Sequence, residues 1–482
     1  MKVALAPYPA YKDSGVPWLG DVPEHWEVTR LGALLRERGE KNDDLITTEV
    51  LSVLRARGVI PYAEKGNIGN KKSDDIARYK IVRQNDIVVN SMNVIIGSVG
   101  LSEYYGCLSP VYYVLTRRAA DDDPRYLNAY FQSFPFQRSL VRIGNGILAH
   151  RMRIPMELLK LELFPRPPAI EQAAIVKFLD YMDRRIRRYI RAKQKLIKLL
   201  EEQKKAIIHR AVTRGLDPNV RLKPSGVEWL GDVPEHWDVV SLGRIGRFSK
   251  GSGGTKSDDV SDGIPCIRYG DLYTRYEFFI TASRSFVTSE RAVDYAAVIY
   301  GDVLFAGSGE TLDEIGKSAV CLIKGRVCCG GDVLIFRPSR EMSPRFLGYV
   351  SDAPQSVHQK SCMGRGVTIM HIYTDDLKYL KLAIPPLAEQ AAVVMFLDDA
   401  TANIDVTISH AKQEISLLNE YRTRLIADVV TGKLDVREAT AVLPDDEQTE
   451  SELLGDENAP VLDDEFEGSD ADVDAELEEV EA

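Results

Sequence analysis

One stretch of about fifty residues is written twice in this chain, and it limits what the rest can be. Residues 167–217 start PPAIEQAAIVKFLD and finish VTRGLD; residues 385–435 start PPLAEQAAVVMFLD and finish VTGKLD. The offset is 218 throughout, without a gap. Apolar residues recur at alternating spacings of four and three. The first copy offers Ile186, Ile190, Ile197, Leu200 and Ile207, with Lys193, Lys204 and Ala211 completing the series. The second offers Ile404, Ile408, Ile415, Leu418 and Leu425, with Ala411, Arg422 and Val429. This heptad seam predicts a coiled coil. A helix of some 45 residues would run about 65 Å at ~1.5 Å per residue. The Pro-Pro before each copy suits a helix start, because proline is tolerated in the first turn. Neither helix has a second seam wide enough to be buried alone, so the simplest partner of each is the other. A core helix inside one large domain fits neither the length nor the repetition.

With 482 residues and 44% apolar content the chain has material for about three domains with real cores. No signal peptide and no run of about 18 apolar residues is present, so a cytoplasmic protein with no membrane contact is expected. Cys107, Cys266, Cys321, Cys328, Cys329 and Cys362 form no CxxC pair and have no matched histidines, which indicates neither zinc nor a disulfide framework. The net charge of −11 is misleading. Residues 438–482 hold 19 Asp or Glu and no Lys or Arg; the remainder holds 53 acidic and 61 basic residues, a net of +8. The sequence therefore predicts a basic folded body, open to a polyanionic partner, and a disordered acidic tail.

A second repeat precedes each helix. Residues 14–32 read SGVPWLGDVPEHWEVTRLG and residues 225–243 read SGVEWLGDVPEHWDVVSLG, identical at fifteen of nineteen positions. Trp18, Trp26, Trp229 and Trp237 are the four tryptophans of the chain, and all lie here. The pattern predicts an aromatic clasp that packs a leading segment onto its domain. His25 and His236 then belong to the packing and not to catalysis.

Between clasp and helix lie two variable regions, 33–163 and 244–383, which share a skeleton. Asn85-Asp-Ile-Val-Val answers Gly301-Asp-Val-Leu-Phe, each a turn into a buried strand. Strand 109–115 answers strand 330–336. DPRYLNAYF at 123–131 answers SPRFLGYV at 343–350, each a capped short helix. Gly144-Asn-Gly146 answers Gly364-Arg-Gly366, each expected as a tight turn. The skeleton predicts two α/β modules whose loops have diverged, as happens when related modules bind different ligands.

Catalytic motifs do not emerge. GETLDEIGKS at 309–318 has Thr311 where a phosphate-binding loop needs glycine. The tetrapeptide of an amino-methyltransferase is missing, as are GxGxxG after a strand, GxSxG and HExxH. The chain has the character of a reader and not of a catalyst.

These features together resemble the specificity subunit of Type I restriction–modification enzymes. The resemblance rests on both clasps, both PPxxEQ helix starts and the alternation of variable regions with long helices. It is strengthened by GSGGTKSDDVSDGIPCIRYGDL at 251–272, with Cys266 where the family often has Trp, and by NDIVVNSMNVIIGSVGLSEYYGCLSPVYYVL at 85–115, which is similar to another subtype of the module. It covers about residues 8–436. It implies two α/β (α+β) target recognition domains, 1–165 and 218–384. Long helices 166–217 and 385–436 would join them as an antiparallel coiled coil in a pseudo-two-fold tandem repeat, and the acidic tail would be 437–482. Each domain would read one half of an asymmetric split site on double-stranded DNA. The helices would set the spacing and dock two methyltransferase subunits, with restriction subunits joining. S-adenosylmethionine, ATP and Mg would serve those partners; this chain would hold no cofactor or metal and catalyse nothing. The rivals are a standalone DNA methyltransferase or nuclease, and a coiled-coil scaffold that binds no DNA.

Charge favours the pairing of unlike helices. Residues 177–214 hold 13 basic and 4 acidic residues, and residues 395–432 hold 3 and 6. Arg184, Arg185, Arg187, Arg188 and Arg191 form either a solvated face or contacts to phosphates of unread DNA. Base edges are read by Arg, Lys, Asn and Gln. The loop candidates in the first region are Lys71, Lys72, Asn90, Ser91, Asn93, Arg142, Asn145, His150 and Arg151. In the second they are Ser252, Thr255, Lys256, Arg268, Tyr269, Ser308, Arg365, Thr368 and His371.

Overall fold

The computed structural model describes residues 5–55, 57–66, 71–73, 75–148, 151–254 and 256–444. The chain divides into two compact units, one of residues 1–193 and 413–482, the other of 194–412. Each long helix, Ala169–Arg214 and Leu387–Val430, is divided between them.

In unit 1 a four-stranded antiparallel sheet runs in the order Leu35–Glu37, Tyr112–Arg117, Ile87–Asn90, Val99–Leu101. Glu27–Arg30 pairs with Leu163–Arg166, so the two ends of the module are tied together. Helix Pro124–Phe131 starts as its sequence predicts: the Asp123 carboxylate accepts from the Arg125 N–H, one of the donors a helix start leaves unpaired. Its Tyr126, Tyr130 and Phe131 are fully buried with Phe136 and Phe164. Leu425, Val429 and Val430, from the end of the second long helix, complete this core.

Unit 2 repeats the plan with additions. Its five-stranded sheet runs Gly246–Lys250, Val333–Pro338, Val303–Ala306, Ser318–Cys321, Phe279–Ile280, the last pair parallel. A second sheet orders Ser285–Val287, Ile264–Ile267, Val327–Cys329, Ala296–Val298. Helix Pro344–Asp352 is capped by Ser343, whose hydroxyl accepts from the Phe346 N–H. Ile208, Ala211 and Val212, from the end of the first long helix, complete this core.

The matching turns are built alike. Asn85 and Gly301 both take positive φ, 68° and 94°, where Asn is among the few side chains tolerated. The aspartate that follows each is buried and accepts a two-pronged arginine, Arg38 on Asp86 and Arg337 on Asp302. Gly144-Asn-Gly146 and Gly364-Arg-Gly366 are not tight turns. Asn145–Leu148 and Arg365–Gly366 are strands, paired with Arg151–Arg153 and Met370–His371. Gly146 and Gly366, at φ 158° and 152°, extend the backbone instead of reversing it.

The long helices pair within each unit. Asp183 meets Arg422 and Lys193 meets Glu414 at 2.6 Å in unit 1, so the partners run in opposite directions. Lys204 meets Asp405 at 2.6 Å in unit 2. Ile186, Ile190, Ile404 and Leu425 are buried on the seam; Ile197, Leu200, Ile207, Ile408, Ile415 and Leu418 are half-buried. The cations that interrupt the apolar series, Lys193, Lys204 and Arg422, therefore each have a carboxylate on the facing helix. Burial works against the charge of Lys204, but Asp405 and Glu277 outweigh it and push its pKa up.

The tail expectation needs correction at its start. Arg437–Ala441 is a short helix with Ala439 and Thr440 buried, because apolar contacts in unit 1 hold it. The acidic residues from 445 onward lie outside the described residues.

Candidate nucleic-acid interface

The clasps explain why the two repeats travel together. Trp26 Nε1 donates to Glu171 Oε1 at 2.9 Å, and His25 Nε2 lies 2.8 Å from Glu171 Oε2. Trp237 Nε1 donates to Glu389 Oε2 at 2.9 Å, and His236 Nε2 lies 2.7 Å from Glu389 Oε1. The next residue works the same way in both copies. Gln172 accepts from the Asp123 N–H and donates to the Pro167 carbonyl; Gln390 accepts from the Ser343 N–H and donates to the Pro385 carbonyl. Thus Glu and Gln of PPxxEQ anchor the helix start to the clasp and to a helix cap. Both histidines are clasp residues.

The clasps differ in one respect. Glu171 is 5% exposed and also takes the Tyr8 hydroxyl, whose pKa burial and Glu171 push up; Glu389 is 42% exposed. Glu171→Ala is expected to destabilise the protein by on the order of 3 kcal/mol and Glu389→Ala by about 1 kcal/mol, because the first strands more buried donors. Urea unfolding of the two variants checks this; equal losses would contradict it.

Loop candidates in unit 2 fall into two groups. Ser308–Gly309, Met370–His371 and Arg365–Gly366 form one small three-stranded sheet. Ser308 Oγ lies 3.1 Å from His371 Nδ1, and exposed Thr368 lies between the last two strands. Arg365, 71% exposed, is held by Asp376 at 2.6 Å. Tyr273 donates to the Ser308 carbonyl, which joins helix Tyr269–Thr274 and its exposed Tyr269 to this patch. The other group surrounds Arg268. Its guanidinium donates to the Gly254 carbonyl and to Asp259, and lies 5.3 Å from the Tyr295 ring. Only 14% exposed, Arg268 shapes loop 252–259 from beneath. Ser252 donates to the Asp294 carbonyl on the same loop pair. Thr255 lies outside the described residues, as does the Lys256 side chain.

In unit 1 the Ile154 N–H donates to the Ser91 carbonyl, which sets the paired strands Asn145–Leu148 and Arg151–Arg153 beside the segment that follows Asn90. Asn90 precedes Ser91 and its carbonyl accepts from the Asn93 N–H, while exposed Asn145 pairs with Arg153, the neighbour of Ile154. Ser91 is 1% exposed and donates to the Val111 carbonyl, so it supports that loop from inside. Arg142 is paired with buried Glu162, whose pKa burial raises while Arg142 opposes it. Lys71 and Lys72 are exposed in a separate loop, where the Lys72 N–H donates to the Tyr62 hydroxyl. His150 lies outside the described residues, as does the Arg151 side chain.

Sequence reasoning missed the supports of these loops. Tyr295, Asp258 and Arg291 hold loop 252–258 by mutual hydrogen bonds, 33 to 37 residues apart in sequence. No local pattern could have paired them. Lys317 of the GKS segment bonds to Asp352 at 2.5 Å, which is a structural use and not a phosphate contact. All six cysteines are free, five of them buried. No group of metal ligands occurs among the described residues.

Comparison with known proteins follows from this geometry. The family profile described as "Type I restriction modification DNA specificity domain" matches residues 234–417. The MjaVIII specificity subunit of Methanocaldococcus jannaschii is 24% identical over 442 residues, 86% of this chain and 94% of that one. The chain is similar to specificity subunits of Type I restriction–modification enzymes. A second relative, the EcoKI specificity subunit of Escherichia coli, is 23% identical over 208 residues, 42% of this chain and 44% of the relative. A solved chain from a study of complex assembly in the type I R-M system superimposes at a TM-score of 0.62 with 17% identity. It covers 86% of this chain and 99% of that one, and it bears on the fold alone. Within this chain, the duplicated clasps are the part that the two units share and the loop patches the part in which they differ. No helix among the described residues is long and apolar enough to cross a membrane.

Proposed function

We propose that this chain is the DNA sequence-recognition subunit of a Type I restriction–modification complex. Each unit reads one half of an asymmetric, split site. One observation carries the reading: the same clasp and sheet present different loop patches in the two units. Unit 2 offers Tyr269, Ser308, Arg365, Thr368 and His371, and unit 1 offers Asn90, Asn93 and Asn145. Groups of this kind read base edges, each good bidentate contact contributing roughly 1–3 kcal/mol of discrimination. The paired helices set the gap between the half-sites. Exposed apolar side chains on the helix starts, Ile170 in unit 1 and Leu387, Met395 and Phe396 in unit 2, suit docking of methyltransferase subunits. Restriction subunits join those. S-adenosylmethionine, ATP and Mg act in the partner subunits, and the assembly works in the cytoplasm.

Mapping of modified adenines in cells carrying the complex tests this. The expected result is a split sequence with two unlike halves, because the loop patches are unlike. A perfect palindrome would overturn the reading.

A further inference from the structure

The described chain ends against the start of the first long helix, about three turns before its run of arginines. Thr440 Oγ donates to the Ala174 carbonyl of the first long helix, and Leu443 packs onto the same core. Ala174, Tyr181 and Arg188 follow one another at seven-residue steps, with Arg185 four residues after Tyr181. That spacing places them along one helix face. Arg185 and Arg188 are exposed on it, and Arg185 donates to the Tyr181 hydroxyl at 3.3 Å. Residues 181–193 hold six basic residues and one acidic residue. That acid, Asp183, is taken by Arg187 and Arg422.

Beyond Pro444 the chain continues for 38 residues with 18 Asp or Glu and no Lys or Arg. Arg185 and Arg188 lie ~16 and ~21 Å along the helix from Ala174. Six or seven extended residues at ~3.3 Å each span that distance. Glu452, Asp456, Glu457 and every later carboxylate are therefore within reach. Charge that is screened over ~8 Å in physiological salt acts only at contact range, which this geometry permits.

We propose that segment 445–482 docks in cis on the arginine face 184–191 and competes there with the phosphates of a DNA duplex. The consequence for DNA rests on the function proposed above; the docking does not. Sequence-independent binding would be suppressed, because that mode draws its free energy from phosphate contacts. A specific site, with base contacts in addition, would displace the segment.

Two measurements on the full-length chain decide this. The first uses Arg185→Lys with Arg188→Lys, which keeps the charge and supplies amines for zero-length carbodiimide coupling. The expected result at ~0.15 M salt is coupling of residues 185 and 188 to carboxylates within 445–482, abolished in 1 M salt. Coupling of the segment only elsewhere, or none, would overturn the docking. The second replaces every Asp and Glu of 445–482 by Asn and Gln and follows binding of a random duplex. At least tenfold tighter binding with a steeper salt dependence is expected; unchanged affinity and slope would overturn the competition. Coupling at 185 and 188 in a chain that binds no duplex would leave the docking standing and remove the DNA reading instead.

Discussion

Asp352→Ala is expected to destabilise the protein by about 3–5 kcal/mol, the usual cost of stranding one charge of a buried pair. Lys360 is fully buried, and its ammonium donates to the Asp352 carboxylate, the Gly316 and Ser351 carbonyls and the Ser318 hydroxyl. Burial acts to raise the Asp352 pKa, but Lys360 and Lys317 outweigh it and hold the carboxyl below its ordinary value. For Lys360, burial dominates and lowers its pKa against the pull of Asp352. The signs give two pH signatures. Asp352, with its folded pKa depressed, stabilises the protein above its unfolded pKa of ~3.9, and this is lost as pH falls through the folded value. In Asp352→Ala the Lys360 ammonium loses its partner, and its folded pKa falls further. The unfolded chain then binds more protons than the folded one, so the variant should gain stability as pH rises from 7 toward the unfolded lysine pKa of ~10.4. Urea unfolding at pH 7 and pH 9 checks both size and slope. The double change Asp352→Leu with Lys360→Met should recover most of the loss, because apolar groups can replace a buried pair without strong penalty. A small loss in Asp352→Ala with no pH response would show that Lys360 finds another partner.

The second large effect concerns the helices. Removing one heptad from each, at positions that keep Lys193 opposite Glu414, shortens the pair by ~10 Å. At 3.4 Å per base pair this bounds the change in the gap between half-sites at about three base pairs. The half-site sequences should be unchanged, and cleavage or methylation at the original spacing should fall at least a hundredfold. Adenine mapping of the variant reads both outcomes. Altered half-sites with an unaltered gap would remove the helices' proposed role in spacing.

Much of the fold was legible because it was written twice. The heptad seam, the clasps and the helix caps are local patterns, and local patterns follow directly from helical and strand periodicity. Even the histidines could be assigned to packing from their place beside the tryptophans. The Gly-x-Gly segments were misread because Gly signals either a reversal or an extended φ, and only partner strands at Arg151–Arg153 and Met370–His371 decide between them. The short helix Arg437–Ala441 was hidden by the acidic composition that follows it. Site residues were the least legible. Ser91, Arg142 and Arg268 have the chemistry of readers, but their bonds to Val111, Glu162 and Asp259 employ them in supporting the loops. Those bonds join residues 9 to 20 positions apart with no periodic signal.

The helix ends have a consequence for any shortened version of this chain. Val429 and Val430 seal the core that holds Trp26, while Ile208, Ala211 and Val212 seal the core that holds Leu242. A chain stopped after the first copy would leave its own neck open and would keep a stopper cut to the same repeated pattern, VTRGLD against VTGKLD, that cannot turn back into it. Such a half could become watertight only by exchanging stoppers with a twin, so the reciprocity that one long chain performs within itself would reappear as a homodimer.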